Sequence, residues 1–217
     1  MEYFYAYGLL FILPFTIFVF LKADKRERIK LFITGSGFGL MAVAFDYIYT
    51  DYWHPIYLIN SFHFEDYLYG LLFGGMLTVI RNIYRKKSVK GKMGFDIKLG
   101  ITYCLILLSI FYVTVNVLKL NYIYALCLVP LIVGIISYIK VKGNIKDVLV
   151  TVIFALLVTI FFYNAIILIY PNVIDIHFFM DNLIGIKLFN IPIEEIFFPI
   201  CLGVGATYTY EAIFKLK

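Results

Sequence analysis

The sequence predicts an all-α integral membrane protein with seven transmembrane helices, and three observations carry that prediction. Of 217 residues, 63% are hydrophobic and only 15% charged, with a mean hydropathy of +0.91. A chain of this size facing water cannot hide that much apolar surface. Uncharged stretches of bilayer length recur along it, and its basic residues fall in every second connection between them.

A helix needs roughly 20 apolar residues to cross a bilayer. The first span is Tyr3–Leu21; Met1-Glu2 offers neither a basic leader nor a small-residue cleavage site, so this span reads as retained rather than as a signal peptide. The second, Leu31–Tyr49, contains Asp46, and the third, Tyr67–Ile80, is short and follows Glu65-Asp66. Leu99–Leu118, Leu120–Ile139 and Val148–Ile174 are the fourth, fifth and sixth. The seventh, Ile196–Tyr210, follows Glu194-Glu195, with Pro192 placed to start its helix. Gly35, Gly37 and Gly39 lie inside the second span with no strand before them, so close helix packing, not nucleotide binding, is their expected role, as it is for Gly70 and Gly74. Pro14, Pro130 and Pro199 are expected to kink their helices.

Of the 19 Lys and Arg, 17 lie in the connections 1–2, 3–4 and 5–6 or at the C-terminus; Lys119 and Lys187 are on the other side. The positive-inside rule then places the N-terminus outside and the C-terminus in the cytoplasm of a multi-pass plasma-membrane protein. Removing the third span would destroy the alternation. The net charge of +5 is accounted for by flanks meeting anionic lipid, without nucleic acid. The acids are expected at the opposite, outer ends: Asp46 and Asp51, Glu65 and Asp66, Asp175 and Asp181, Glu194 and Glu195, together with His54, His63 and His177.

A shift of 129 residues lays the second and third spans on the sixth and seventh: Asp46 on Asp175, Glu65 on Glu194, Asp66 on Glu195, Gly74 on Gly203 and Thr78 on Thr207. Two three-helix units in the same orientation need one crossing between them, which the fourth span supplies. The expected organisation is therefore residues 1–90, a linking helix within 91–119, and residues 120–217.

The segment Asp175…Gly185…Pro192-Ile193-Glu194-Glu195-Ile196-Phe197-Phe198 resembles the hallmark of the membrane-integral lycopene cyclases built from two similar three-helix domains. Asp46…Trp53…Glu65-Asp66 resembles the same motif in the first domain, with His63 standing where the second copy has Pro192. The resemblance implies an intramolecular lyase of carotenoid biosynthesis. It would work by acid–base chemistry on lycopene, closing β-ionone rings through a carbocation, with no cofactor; other carotenoid enzymes are expected as neighbours in the bilayer. It puts Glu194 and Glu195 forward as proton donor and partner, with Glu65, Asp66, Asp46 and Asp175 behind them. Trp53, Pro192, Phe197 and Phe198 are the expected substrate contacts.

Elementary chemistry supports such a role. A carboxyl group in a low-dielectric site is driven towards its neutral form, and adjacent carboxyls reinforce this, while a helix N-terminus opposes it. Successive helical residues point about 100° apart, so the two glutamates face different surroundings. Aromatic faces can stabilise a cation. The bland alternative is that the glutamates cap their helix at the water interface. The histidines lack the spacing of a helical ligand pair and read as surface residues, and the cysteines 104, 127 and 201 as reduced packing thiols. Three other functions compete: a hydratase that traps the same cation with water, a receptor and a transporter. Against a retinal receptor, the seventh span holds no lysine between Ile196 and Tyr210; against a transporter, the acids sit at span ends.

Overall fold

The computed structural model describes residues 4–48, 52, 53, 55–57, 62–86 and 94–214. Asp51, His54 and the basic residues 87, 90, 92, 215 and 217 lie outside the described residues, as do the expected span ends Tyr3 and Tyr49. The helices are α1 (Phe4–Lys22), α2 (Lys25–Ile48), α3, α4 (Ile97–Phe111, continued by a π-helical Tyr112–Val117), α5 (Tyr122–Val141), α6 (Ile145–Ile169), a short α7 (Val173–His177) and α8 (Ile193–Ile213). The third helix, α3, is three consecutive stretches, Phe64–Tyr69, a π-helical Gly70–Gly74 and Gly75–Arg85. Among the described residues, six helices (α1, α2, α4, α5, α6 and α8) are long and apolar enough to cross a membrane. Large apolar side chains such as Leu108, Leu157 and Leu168 point outward from them, which suits lipid and not water.

Short polar residues start these helices. Asp24, Asp96, Asn121 and Asn144 accept hydrogen bonds from the backbone N–H groups of Glu27, Leu99, Ile123 and Lys146, at 2.9–3.1 Å. The cap at Asp24 explains why α2 begins six residues before the expected Leu31: the basic run Lys25–Lys30 is helical. The sixth helix ends at Ile169 and not at Ile174, because Pro171 cannot continue it and biases Tyr170 away from helical geometry. Asp175 therefore sits on the separate helix α7. Counted from their starts, α2 and α6 correspond at a shift of 120 residues (145 minus 25), so the match of Asp46 with Asp175 does not join equivalent helix positions.

Packing follows the glycines. A Cβ at Gly70 would lie 2.5 Å from the Gly39 nitrogen, and one at Gly35 would meet the Leu71 carbonyl, so α2 and α3 touch backbone to backbone. Gly134 of α5 abuts Val204, and Gly205 abuts Pro130, bringing α5 and α8 equally close. Helix α8 also packs on α6 and on the second half of α3; α1 packs on α6 and α3, and α4 chiefly on α5.

The end of the bundle carrying the basic residues is not only basic. Lys30 donates to Glu211 at 2.5 Å, Arg81 reaches Glu211 at 2.6 Å and Asp147 at 4.0 Å, and Arg85 pairs with Asp147. Asn82 donates to Glu27 at 2.9 Å, and Tyr208 to Asp147 at 2.5 Å. Glu27, Lys30, Arg81, Asp147 and Glu211 are all buried. This corrects the expectation that acids gather at the opposite end and that Lys30 and Arg81 meet lipid headgroups. Three acids neutralise them inside the protein, as buried charges require.

Candidate active site

A tight hairpin delivers Glu194 and Glu195 into the bundle. Lys187–Leu188 pairs antiparallel with Ile191–Pro192, and the two turn residues, Phe189 and Asn190, take φ of 55° and 61° as a mirror-image turn demands. Pro192 is buried and stands immediately before α8, whose first turn carries both glutamates. Neither behaves as a solvent-facing cap: Glu194 is 3% exposed and Glu195 8%, and no side chain caps the helix start.

Each glutamate has its own cradle. Glu195 accepts from the Tyr52 hydroxyl on Oε1 and from the Tyr163 hydroxyl on Oε2, the latter at 2.5 Å. Tyr163 comes from α6, but Tyr52 comes from the connection between α2 and α3. Glu194 Oε1 accepts from the Tyr124 hydroxyl at 3.2 Å and the Ile184 backbone N–H at 2.8 Å. Its Oε2 is buried with no hydrogen-bond partner among the described residues.

The corresponding start of α3 repeats the pattern. Glu65 and Asp66 are buried, and Asp66 accepts from Tyr5 at 2.8 Å and Tyr57 at 2.5 Å. Asp46 closes α2 and pairs with His63, whose ring is stacked between Tyr47 and Tyr57 at centroid distances of 4.3 and 4.1 Å. His63 takes a left-handed φ of 45° before α3 and is no plain surface residue. Ligand atoms of Asp46, His63 and Asp66 lie within 4.8 Å of one another, an O, O, N set that suits a divalent cation. The phenols and the imidazole already occupy those carboxylates, so the arrangement stands as a closed hydrogen-bond network.

Burial pushes the Tyr52 phenol well above its ordinary value, and the Glu195 carboxylate beside it adds to the effect; burial and Asp66 do the same to Tyr57. Both phenols are therefore hydrogen donors at any physiological pH.

Aromatic rings join the two cradles. Phe178 lies 4.5 Å from Trp53, 5.5 Å from Tyr52 and 6.4 Å from Tyr163 between ring centroids. Trp53 meets Tyr5 edge-on at 5.5 Å. A β-bridge between Trp53 and Phe178, and a bond from the Phe179 N–H to the Tyr52 carbonyl at 3.2 Å, tie the two connections together. Such rings tolerate positive charge, and phenol-bound carboxylates can give, take or neutralise a proton's charge.

Of the ten candidates from sequence, Glu194, Glu195, Glu65, Asp66, Asp46, Trp53 and Pro192 are brought to this end in buried or half-buried positions. Phe198 is partly buried, while Phe197 is 57% exposed and faces outward. Asp175 is not brought in: it is exposed and pairs with Lys187. Sequence reasoning missed Tyr5, Tyr52, Tyr57, Tyr124 and Tyr163. Their only signal was the count of 19 tyrosines, which interfacial belts also explain.

Residues 121–213 match the lycopene cyclase family. No curated protein and no solved structure matches the chain. The matched segment runs from the start of α5 to the end of α8 and contains Glu194, Glu195, Tyr124 and Tyr163. By this segment the second half of the chain is similar to the lycopene cyclase family.

Proposed function

We propose that this protein is a lycopene β-cyclase, an intramolecular lyase that closes β-ionone rings on a linear carotene without net oxidation or reduction. In this reading a carboxylic acid gives its proton to the terminal double bond, and the resulting tertiary cation is attacked by the next double bond in the folded chain end. A carboxylate then removes a proton from the ring. Glu194 and Glu195 are the reacting pair; Glu65 and Asp66 form a second pair, with Asp46 behind them and Trp53, Pro192 and Phe198 among the walls. Asp175, exposed and ion-paired, supports the surface of the loop.

The observation that carries this reading is the burial of four carboxyl groups at the starts of α3 and α8, with Asp66 and Glu195 each held by two phenols. Groups that merely capped helices would face water. The lycopene cyclase family match over residues 121–213 supports the carotenoid substrate. We also read α3 as a seventh crossing, interrupted by its π-helical segment, with the N-terminus outside and the basic end in the cytoplasm of the plasma membrane. Residues 1–90 and 120–217 are then parallel three-helix units joined by α4. Support comes from the matching carboxyl pairs and from the alternation of basic residues.

Expression in lycopene-accumulating cells with pigment analysis tests the function. The wild type is expected to yield β- or γ-carotene, and Glu194→Gln or Glu195→Gln to leave lycopene unchanged. A hydroxylated product would indicate capture of the cation by water. Unchanged lycopene with the wild type, or full activity in the double variant, overturns the proposal.

A further inference from the structure

We propose that the adjacent glutamates divide the acid–base work: Glu194 holds the transferable proton, and Glu195 is an anion fixed by Tyr52 and Tyr163, which act as positioning residues. The reaction step rests on the cyclase reading above; the protonation states do not.

Hydrogen-bond accounting assigns the charge. A phenol donates one hydrogen, and a carboxylate only accepts. Tyr52 and Tyr163 are 5% and 7% exposed, and each directs its hydroxyl to a different oxygen of Glu195. Were Glu195 a carboxylic acid, its own O–H would have to donate to one of those phenols. That phenol's hydrogen would then need another acceptor, and none is present among the described residues. The anion satisfies all three groups at once.

Glu194 shows the opposite pattern. Both of its hydrogen bonds, from Tyr124 and Ile184, converge on Oε1. Oε2 is buried and has no partner among the described residues. An ionised oxygen there would bear charge without compensation, beside a second anion one residue away. A neutral acid resolves both problems, with Oε1 as the carbonyl and Oε2 carrying the hydrogen. Two carboxyls that share a site and differ in environment are thereby set to different protonation states.

The cyclisation then balances as follows. The Glu194 O–H bond breaks, and its proton bonds to the terminal alkene carbon using the alkene's π pair. Ring closure uses the π pair of the next double bond. Glu195 takes the ring proton, and the C–H electron pair becomes the new ring double bond. Glu194 is left as the anion and Glu195 as the acid, and transfer of one proton from Glu195 to Glu194 restores the start.

Infrared spectroscopy of the full-length protein, with and without deuterium exchange, tests the assignment without substrate. A band from a buried protonated carboxyl group is expected in the wild type, lost in Glu194→Gln and kept in Glu195→Gln. In Tyr52→Phe/Tyr163→Phe, stripped of both phenols, a second such band is expected as Glu195 takes up a proton. A band lost in Glu195→Gln but kept in Glu194→Gln overturns the assignment, as does a spectrum that Glu194→Gln leaves unchanged. Should Glu194→Gln fail to fold, an unaltered spectrum in the double phenylalanine variant overturns it equally. As positioning residues, Tyr52 and Tyr163 are expected to act on turnover: Tyr52→Phe lowers kcat about tenfold or more with KM within about twofold. A raised KM at unchanged kcat speaks against positioning. Wild type with the expected spectrum but no cyclised product rejects the cyclase reading alone; product with the inverted spectrum rejects this assignment alone.

Discussion

Tyr52, in the connection after α2, donates its phenolic hydrogen to Glu195, which lies 143 residues further along the chain at the start of α8. The site in the family-matched segment is thus completed by a residue outside it. Phe178 secures this link, since its ring touches Trp53, Tyr52 and Tyr163 and its backbone bridges Trp53. Phe178→Leu keeps most of the volume and is expected to cost about 1 kcal/mol, within the usual range for such swaps. It removes the aromatic face, so cyclisation is expected to fall further than the loss of stability explains. Thermal unfolding and product yield, measured on the same preparation, check this; parallel losses in both would reduce Phe178 to packing.

The two aspartates matched by sequence, Asp66's neighbour in space Asp46 and the distant Asp175, separate sharply once folded. Asp175 is exposed in an ion pair with Lys187, and such pairs contribute about 0–1 kcal/mol. Asp175→Asn is therefore expected to leave unfolding temperature and product yield near wild type. Asp66→Asn replaces an acceptor-only oxygen by an amide N–H that meets a phenol hydrogen from Tyr5 or Tyr57. A loss of about 1–3 kcal/mol is expected from the mismatched buried group, together with loss of activity. Equal tolerance of both substitutions would remove Asp66 from the site.

What the sequence made legible, and what it hid, follows from the range of each interaction. Apolar runs are local, so six long helices were readable to within six residues at either end, and Glu194-Glu195 stood out beside Pro192. The end of the sixth helix was misread because hydropathy continues through Ile174 whereas Pro171 breaks the backbone. The phenol cradles were hidden because Tyr52, Tyr57 and Tyr163 become distinct from belt tyrosines only when helices distant in sequence close on a carboxylate. The buried ion network was hidden for the same reason. Charge counting treats Lys30 and Arg81 as flanks and cannot see that Glu211 lies 2.5–2.6 Å from both.

The α2–α3 contact sets where Asp66 sits, and its tolerance can be measured against an internal control. A Cβ at Gly70 would fall 2.5 Å from the Gly39 nitrogen, a backbone atom that can yield only if the helices part. Gly37, in the same glycine-rich stretch of α2 but on its opposite face, would have nothing within 4 Å of an added Cβ. Gly70→Ala is expected to destabilise by about 1–3 kcal/mol through overpacking. Gly37→Ala is expected to be neutral or stabilising by about 1 kcal/mol, since alanine is the better helix former. Thermal unfolding in one detergent gives the comparison, and equal unfolding temperatures would contradict the close helix approach.

Glu211 holds the opposite end of the bundle together, because Lys30 of α2 and Arg81 of α3 both converge on it from outside α8. Its environment strips away water, so removing the acid leaves two cations facing each other with too little compensation. Glu211→Leu is accordingly expected to cost about 3–5 kcal/mol, the usual result of breaking a buried pair from one side. Adding Lys30→Met removes the stranded ammonium while Arg81 keeps Asp147 at 4.0 Å, so the double variant is expected to recover part of the loss. The three proteins' unfolding temperatures form the measurement. Additive losses, with the double variant less stable than Glu211→Leu by the full cost of Lys30→Met, would show that the two side chains do not interact.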